Sequence, residues 1–415
     1  MSKITKYALS DLYEMSSGIS STKEQAGHGA PFVSFGTVFN NYFLPDELPD
    51  LMDTNEKEQE IYSIKAGDVL ITRTSETIDE LAMSCVATKD YPRATFSGFT
   101  KRLRPKKEGI AYPKYMAFYF RSDLFRKAVT NNAFMTLRAS FNEDIFTFLD
   151  VFLPDYDEQV RIGDMLYAVE CKIQKNKEIN DYLELQIKLL YDYWFTQFNF
   201  PDENGQPYKL SGGVMVWNPV LNRNIPASWS VTRLLTLVSW ESNSQPPKSE
   251  FIYEPKQGYI RFIQNRDYDS DGYKTYIPFT PNLSIVDRYD ILMDKYGNAG
   301  TVRYGIAGAF NVALGKINVE YPNSQEYVRS YLESEGIYSY LHNSCMASTR
   351  ASLNESNLSM LDIVVPSNRV LSEYQSQIHK IRKSILLTID ENHQLKTIRD
   401  WLLPMLMNGQ ATIED

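Results

Sequence analysis

A run of cations is the first stretch of this chain whose residue types and spacing indicate chemistry. Lys101, Arg102, Arg104, Lys106 and Lys107 lie within seven residues that contain no acid. Closely spaced positive side chains are what contacts to nucleic-acid phosphates require. The alternative is a solvated cluster at the end of a strand, with no ligand. The run therefore makes phosphate binding a hypothesis that the rest of the sequence must support.

The overall charge argues in the other direction. The formal net charge is −9 and the isoelectric point is near 5.2, which taken alone disfavours nucleic acid as a partner. The acids are unevenly spread, however, because seven of them lie between Asp46 and Glu60. A net charge averages over such segments, so it does not exclude a local basic surface.

Motifs of enzymes that act on nucleic acids are incomplete. An adenine methyltransferase needs Asn, Asp or Ser before Pro-Pro and an aromatic residue after it, whereas Gln245 and Lys248 flank the Pro-Pro pair here. Gly315-Lys316 resembles the end of a P-loop, but Ile317 follows where Ser or Thr is required. No spacing singles out an acid/base pair or an activated nucleophile. We therefore expect a non-catalytic protein.

Cysteine and histidine are too sparse for a metal centre. Three scattered cysteines and four histidines do not form a disulfide framework or a spaced zinc site, so we expect no metal and no cofactor. No apolar run approaches the roughly 18 residues of a membrane span, and the N-terminus has no signal-peptide pattern. We expect a cytoplasmic protein that does not contact a membrane.

Two long helices must position any site in this chain. From Asp157 to Phe198, apolar residues recur at alternating steps of four and three, which is the a/d seam of a coiled coil. A helix of roughly 40 residues is roughly 60 Å long, more than a compact domain needs, so we interpret it as a spacer. A second such helix runs from Glu373 to about Met407. The seam residues are Ile162, Leu166, Val169, Ile173, Asn176, Asn180, Leu183, Ile187, Leu190 and Trp194 in the first helix, and Ile378, Ile381, Ile385, Ile389, Asn392, Leu395, Ile398 and Leu402 in the second.

Asparagines interrupt both seams. Asn176 and Asn180 take core positions in the first helix, and Asn392 takes one in the second. A buried Asn weakens the pairing but fixes register and partner choice. The alternative is a partly exposed seam with solvated amides.

The chain repeats itself outside the helices as well. Arg350-Ala351-Ser352-Leu353-Asn354 matches Arg138-Ala139-Ser140-Phe141-Asn142 at an offset of 212 residues (350 minus 138), and Pro366 matches Pro154 at the same offset. We interpret the chain as a tandem duplication with pseudo-two-fold symmetry, in which two α+β globular domains are separated by two long antiparallel coiled-coil helices. Each domain should contain one helix before the repeated motif. The expected helices are Tyr112–Asn132 and Tyr327–Tyr340, and the expected segments are a first domain at 1–155, a helix at 156–198, a connector at 199–229, a second domain at 230–366, and a helix with the C-terminal tail at 367–415.

This order of elements resembles the DNA-specificity subunit of type I restriction-modification systems. The resemblance covers essentially the whole chain and rests on the repeated motif, on Gln159 and Gln375 after the two prolines, and on the ending Ile398–Gly409. It implies two target-recognition domains that read the two halves of an asymmetric DNA site, with the helices setting the gap between them. It also implies docking of two adenine methyltransferase subunits and of restriction motor-nuclease subunits.

Candidate DNA contacts follow from the residue types that read bases and hold phosphates. Those of the first domain follow a strand or lie in the basic run, and those of the second surround a glycine-containing loop after a matching strand. Arg138 and Arg350 belong to the repeated motif, so we expect them to hold phosphate or structure. The expected contacts are Thr72, Arg73, Thr74, Ser75, Lys101, Arg102 and Arg104 in the first domain, and Lys295, Tyr296, Asn298 and Arg303 in the second.

Docking of partner subunits is expected at the helices. The candidates are the seam asparagines Asn176, Asn180 and Asn392, together with Arg399 and Leu403 of the C-terminal ending. One alternative comes from a different class of protein, a coiled-coil scaffold whose domains bind proteins and no DNA, in keeping with the acidic isoelectric point. A stand-alone enzyme is the third hypothesis.

Overall fold

The chain divides into two compact units. A computed structural model describes residues 4–20, 22–75, 81–132, 139–269, 272–346 and 352–413. The first unit combines Met1–Lys177 with Asp390–Asp415, and the second is Glu178–Ile389. The division falls within both long helices, so the units differ from the five consecutive segments expected from the sequence.

The first unit has eleven described strands, most of them short. They are β1 (Thr5–Ala8), β2 (Tyr13–Ser17), β3 (Ala26–Val33), β4 (Asp50–Met52), β5 (Val69–Thr72), β6 (Thr74–Ser75), β7 (Ser84–Val86), β8 (Thr95–Phe96), β9 (Thr100–Pro105), β10 (Ala139–Ser140) and β11 (Asp150–Leu153). The helices that precede the long one are α1 (Leu9–Leu12), α2 (Phe35–Asn40), α3 (Glu56–Ile61), α4 (Pro113–Tyr119), α5 (Asp123–Asn132) and α6 (Glu143–Phe148). The long helix α7 spans Tyr156–Tyr191 and continues into a π-helical segment, Asp192–Thr196.

Strand β5 lies inside the main sheet of the first unit. The strand order is β2-β9-β5-β7, and every neighbouring pair is antiparallel. Both faces of β5 are covered, since Val69, Leu70 and Ile71 are all fully buried. A second sheet has the order β4-β3-β8, with β3 and β8 parallel. Two strand pairs, β1 with β11 and β6 with β10, complete the described sheets of the unit.

The second unit has twelve described strands. They are β12 (Met215–Asn218), β13 (Arg223–Pro226), β14 (Ser230–Arg233), β15 (Val238–Ser242), β16 (Tyr259–Ile263), β17 (Tyr276–Pro278), β18 (Ile285–Val286), β19 (Ile291–Asp294), β20 (Val302–Arg303), β21 (Gly308–Phe310), β22 (Leu314–Val319) and β23 (Asp362–Val365). Its helices are α8 (Gln325–Glu333), α9 (Glu335–Met346) and α10 (Glu355–Leu358), followed by the second long helix α11 (Asn368–Met407).

The topology of the first unit recurs in the second. The sheet β15-β22-β19-β20 has the order and pairing of β2-β9-β5-β7, and β14 pairs with β23 as β1 pairs with β11. The parallel pair β16 and β21 corresponds to β3 and β8. The α+β class and the tandem repeat predicted from the sequence are therefore confirmed.

The repeated residues have structural roles in both units. Phe141 and Leu353 are fully buried, and Asn142 and Asn354 cap the helices that follow them. Such side-chain caps satisfy backbone N–H groups that have no partner within the helix. The motif therefore repeats because each fold needs the same core residue and cap.

The two glutamines that follow the repeated prolines have equivalent roles. The Oε1 atom of Gln159 accepts the backbone N–H of Tyr112 at 2.9 Å, and Oε1 of Gln375 accepts that of Glu326 at 2.8 Å. Each glutamine thereby ties a long helix to the start of a domain helix.

Antiparallel segments of α7 and α11 pair within the first unit. Asn176 donates to the Asn392 side chain at 2.9 Å, Asn392 donates to the carbonyl of Ile173, and Glu170 binds Arg399 at 2.8 Å, nearer the start of α7. Asn176 is fully buried and Asn392 nearly so. Asn176 and Asn392 therefore pair with each other and fix the register of these segments.

In the second unit, the segment of α11 that pairs with α7 carries a buried arginine. Arg382 of α11 is fully buried and binds Glu326 at 2.9 Å and Glu333 at 2.7 Å. Asn180 accepts a hydrogen bond from Thr388. Burial raises the pKa of Glu333 above that of an ordinary glutamate, and the Arg382 charge opposes this.

Two features of the helices differ from the prediction. Each domain helix that was expected as one piece is broken into two. The breaks lie at Ser122, between α4 and α5, and at Ser334, between α8 and α9. At each break the serine hydroxyl donates a hydrogen bond to the carbonyl three residues earlier, which competes with continuation of the helix. The seam of α11 shifts by one residue after Leu395, so Ile398 is half-exposed and Arg399 faces inward.

Candidate nucleic-acid interface

The residue that follows β5 is held by backbone hydrogen bonds on both sides. The N–H of Arg73 donates to the carbonyl of Phe99 at 2.8 Å, and its own carbonyl accepts the N–H of Phe141 at 2.7 Å. The guanidinium is exposed and has no hydrogen bond or ion pair with the residues that the structure describes. The fold thus fixes the backbone of Arg73 and leaves its side chain exposed.

Lys295 occupies the equivalent position in the second unit. Its N–H donates to the carbonyl of Ala313 at 2.8 Å, and its carbonyl accepts the N–H of Leu353 at 3.0 Å. It follows β19, the strand that corresponds to β5. Sequence reasoning selected both cations because each follows an apolar strand. In the structure, each is held by the same pair of backbone hydrogen bonds, one through its N–H and one through its carbonyl. We call this pair of bonds the backbone frame.

A cleft of about 330 Å³ opens beside Arg73, lined also by Ser20, Thr74 and Phe99. Lys101 lies near this end of the sheet, and its Nζ donates to the Ser17 hydroxyl at 2.8 Å. Partial burial and then the nearby Arg73 charge lower the pKa of Lys101. Because two neighbouring like charges repel, an anion placed between them would be favoured.

The other two arginines of the basic run point inward. Arg102 is 8% exposed and donates to the carbonyl of Ser63 at 2.5 Å, while Arg104 binds the buried Asp68 at 2.7 Å. In the second unit, Lys316 takes the position of Arg102 and binds the carbonyl of Ile285 and the carboxylate of Asp290. These inward cations hold a neighbouring loop, so Arg102 and Arg104 are removed from the set of proposed contacts.

Two further candidates are also engaged internally. Thr72 is fully buried, and its hydroxyl accepts the N–H of Met83 at 2.9 Å. Arg303 binds the buried Asp294 at 2.9 Å and stacks its guanidinium over the Tyr268 ring. Burial raises the pKa of Asp294, and the Arg303 contact opposes that rise. Both residues stabilise the domain and are removed from the proposed contacts.

The loop between β19 and β20 is open to solvent. Tyr296 and Asn298 are exposed, and Gly297 and Gly300 have positive φ values of 69° and 93°, which favour glycine. In the first unit, Thr74 and Ser75 form β6 beside the repeated motif. Of Ser75 only the backbone is described, and Arg138 and Arg350 lie outside the described residues.

Comparison with known proteins finds similarity to one family. Residues 1–185 match the family model for the type I restriction modification DNA specificity domain. The MjaIX specificity subunit of Methanocaldococcus jannaschii, a type I restriction enzyme component, is 23% identical over 86% of this chain and 81% of its own length. The HindI specificity subunit of Haemophilus influenzae is 22% identical over 91% and 94%.

The chain is similar over most of its length to type I restriction-modification specificity subunits. A crystal structure of the type I system S subunit from M. genitalium has the same fold, with a TM-score of 0.61, 13% identity, and coverage of 98% of this chain and 96% of that one. Among the residues that the structure describes, none of the helices combines the length and apolar character of a membrane span. Nor do the described residues include a cluster of three or more His, Cys, Asp or Glu that could hold a metal ion.

The docking candidates expected from the sequence are largely engaged in contacts within the chain. Asn176 and Asn392 bind each other, and Arg399 binds Glu170 and lies over the Tyr42 ring. Leu403 is buried in the core of the first unit. These residues therefore make contacts within the chain, and their role in docking a partner stays a prediction.

An exposed apolar stripe on the second-unit part of α7 and the π-helical segment that follows it was missed by sequence reasoning. Its members recur at steps of three and four on the helix face away from the seam, and Tyr182 is 72% exposed. We call this set the outer stripe: Ile179, Tyr182, Leu185, Leu189 and Tyr193. The signal was present as a second apolar periodicity, but the regular a/d seam obscured it.

Proposed function

We propose that this chain is a non-catalytic specificity subunit that binds a bipartite, asymmetric DNA sequence, with one half-site read by each unit. The observation that carries the proposal is the backbone frame around Arg73, which recurs around Lys295 with the same pairs of hydrogen bonds. Each frame holds a cation at the end of a buried strand. Such a cation can anchor a phosphate and set the register for base contacts.

The side chains around the two frames support half-sites of different sequence. Thr74 follows the cation in the first unit, whereas Tyr296 follows it in the second. Phe99 lies across the first frame and Ala313 across the second. Base edges are discriminated by side chains, so unlike side chains on like frames favour unlike half-sites. The target should therefore not be palindromic.

We also propose that α7 and α11 form the spacer and that the outer stripe docks an adenine methyltransferase subunit. Leu185 is 50% and Leu189 is 58% exposed, so a partner helix that covered either one would gain about half of the roughly 1.5–3 kcal/mol that burial of a fully exposed side chain contributes. Apolar residues at steps of three and four suit an amphipathic partner helix. We expect two methyltransferase subunits and, in the complete assembly, motor-nuclease subunits.

Methylation mapping tests DNA recognition. Cells that express the methyltransferase partner should carry adenine methylation at one bipartite sequence when this chain is present and none when it is absent. Lys295→Ala should weaken methylation of both strands of that site, because both halves must be bound together. Methylation of the same sequences without this chain would refute the proposal. Co-purification with a protein partner but no selective DNA binding would favour the scaffold alternative.

Docking is tested separately with Tyr182→Glu combined with Leu189→Glu. The double variant should lose co-purification with the methyltransferase while its thermal unfolding stays unchanged, since both side chains are already exposed. The matched control is Tyr253→Glu combined with Leu210→Glu, which makes the same two exchanges at exposed positions of the same unit outside the outer stripe. The control should keep its partner. Retained assembly of the outer-stripe variant would refute docking there.

A further inference from the structure

We propose that Phe99 is a specificity-determining residue that contacts the 5-methyl group of a thymine in the half-site bound by the first unit. The inference deepens the proposed function and rests on it. Phenylalanine can discriminate thymine in the major groove because thymine alone of the four bases carries a methyl group there. No base contact of this residue follows from the basic run or from the repeated motif.

The turn that carries Phe99 is held at several points. The carbonyl of Ser97 accepts the N–H of Thr100 at 2.9 Å, and the Ser97 hydroxyl accepts the N–H of Phe99 at 3.2 Å. Gly98 donates to the carbonyl of Ile19 at 2.7 Å, and a Cβ atom on Gly98 would lie 2.9 Å from that oxygen. The turn is therefore packed against the segment that follows β2, and Phe99 itself is 64% exposed.

An isolated exposed aromatic side chain is common on protein surfaces and has no meaning alone. Phe99 differs because its carbonyl binds the N–H of Arg73, and both residues line the same cleft. Lys101 follows two residues later, at the start of β9. An exposed apolar ring that shares a cleft with a cation fits a groove whose edges are phosphates and whose floor offers a methyl group.

The second unit has the same turn without the ring. The carbonyl of Asn311 accepts the N–H of Leu314 at 3.1 Å, and the Asn311 side chain accepts the N–H of Ala313 at 3.1 Å. Ala313 takes the place of Phe99, and its carbonyl binds Lys295. Since the turn forms with alanine, the ring is not needed to build it. The large apolar surface of Phe99 is thus an addition specific to the first half-site.

The experiment replaces thymine with deoxyuridine, which removes only the methyl group. The full chain is assembled with its methyltransferase partner, and binding is measured to duplexes in which each thymine of the target is replaced in turn. We expect one position in one half-site where the wild type loses about 3-fold to 10-fold in affinity, as for roughly one apolar base contact. Phe99→Ala should lose a similar factor on the thymine duplex and nothing further on the deoxyuridine duplex.

Phe148→Ala is the matched control, because Phe148 is 76% exposed in the same unit but lies at the end of α6. It should keep the wild-type response to deoxyuridine. The inference would be overturned if every replacement changed the affinity of Phe99→Ala and of the wild type by the same factor. It would also be overturned if no replacement changed the affinity of a wild type that still selects its target. Loss of all selectivity in the wild type would instead refute the proposed function.

Discussion

Removal of Arg73 and Lys101 should reduce the salt dependence of DNA binding by a calculable amount. If each cation neutralises one phosphate, the slope of log affinity against log salt becomes shallower by about 1.8 when both are changed to alanine. Between about 50 mM and 200 mM salt, the wild type should then lose affinity by about 12-fold more than the double variant. The effect should be uniform across DNA sequences, because phosphate contacts carry no sequence information.

The assay is the equilibrium affinity of the chain with its methyltransferase partner for target and non-target duplexes, measured over that range of salt. Lys106→Ala with Lys107→Ala is the matched control. It removes the same charge from the same basic run, but beyond the other end of β9, a strand of six residues that spans roughly 17 Å. We expect the control to keep most of the wild-type slope.

Equal slopes for the two double variants would refute the reasoning. That result would mean that the basic run acts through its general field and that the backbone frame around Arg73 has no special role. A change confined to one DNA sequence would also contradict it, because the two cations would then be reading bases. Thermal unfolding should stay close to that of the wild type, since the Arg73 side chain is exposed and Lys101 only binds the Ser17 hydroxyl.

Three further predictions concern buried and titrating groups. Arg382→Met should lower the free energy of unfolding by about 3–5 kcal/mol in denaturant titrations, because the glutamates that Arg382 binds lose a buried counter-charge; an unchanged midpoint would contradict this. Asn176→Leu should cost about 1–3 kcal/mol in the same titrations by leaving the side-chain oxygen of Asn392 without its donor, and adding Asn392→Leu should recover part of the loss. The lowered pKa of Lys101 means that its charge is lost at a lower pH than that of an ordinary lysine, so DNA affinity should fall as the pH rises in the alkaline range. Lys101→Arg should remove this dependence, because guanidinium stays charged.

The repeat was predictable from the sequence because its residues have structural roles that depend on residue type. Phe141 and Leu353 fill a core, and Asn142 and Asn354 cap helices, so the pattern of apolar and capping residues occurs twice. The helix breaks at Ser122 and Ser334 were missed. Each is followed by an acidic residue, a helix-start signal that recurs at the same offset of 212 residues (334 minus 122).

The basic run shows where sequence reasoning about the site failed. Arg102 and Arg104 are two residues apart on β9, so their side chains share a face of the strand, and that face meets the loop that contains Ser63 and Asp68. Strand alternation separates them from Lys101, but only the fold shows which face is enclosed. Phe99 carried no pattern at all, because a single aromatic residue gains meaning only from its neighbours in space.

The error at Ile398 has a related cause. The a/d spacing continued through Ile398, but the last turns of α11 pack against the first globular domain as well as against α7. Arg399 there reaches Glu170 and the Tyr42 ring, and its pKa rises because the contacts with these groups and Asp400 outweigh its burial. A seam derived from helix pairing alone could not predict that shift.

The two frames also explain how one fold can hold unlike reading surfaces. The bonds that fix Arg73 and Lys295 join backbone atoms only, so they form whatever side chain is present. The side chain of Phe99 is larger than that of Ala313 by a whole aromatic ring. The hydrogen bonds of the two turns are nevertheless nearly equal in length. Exchange of the exposed side chains on a frame should therefore change the bases that are read at little cost to folding, whereas exchange of the inward cations Arg102 or Lys316 should cost stability without redirecting recognition.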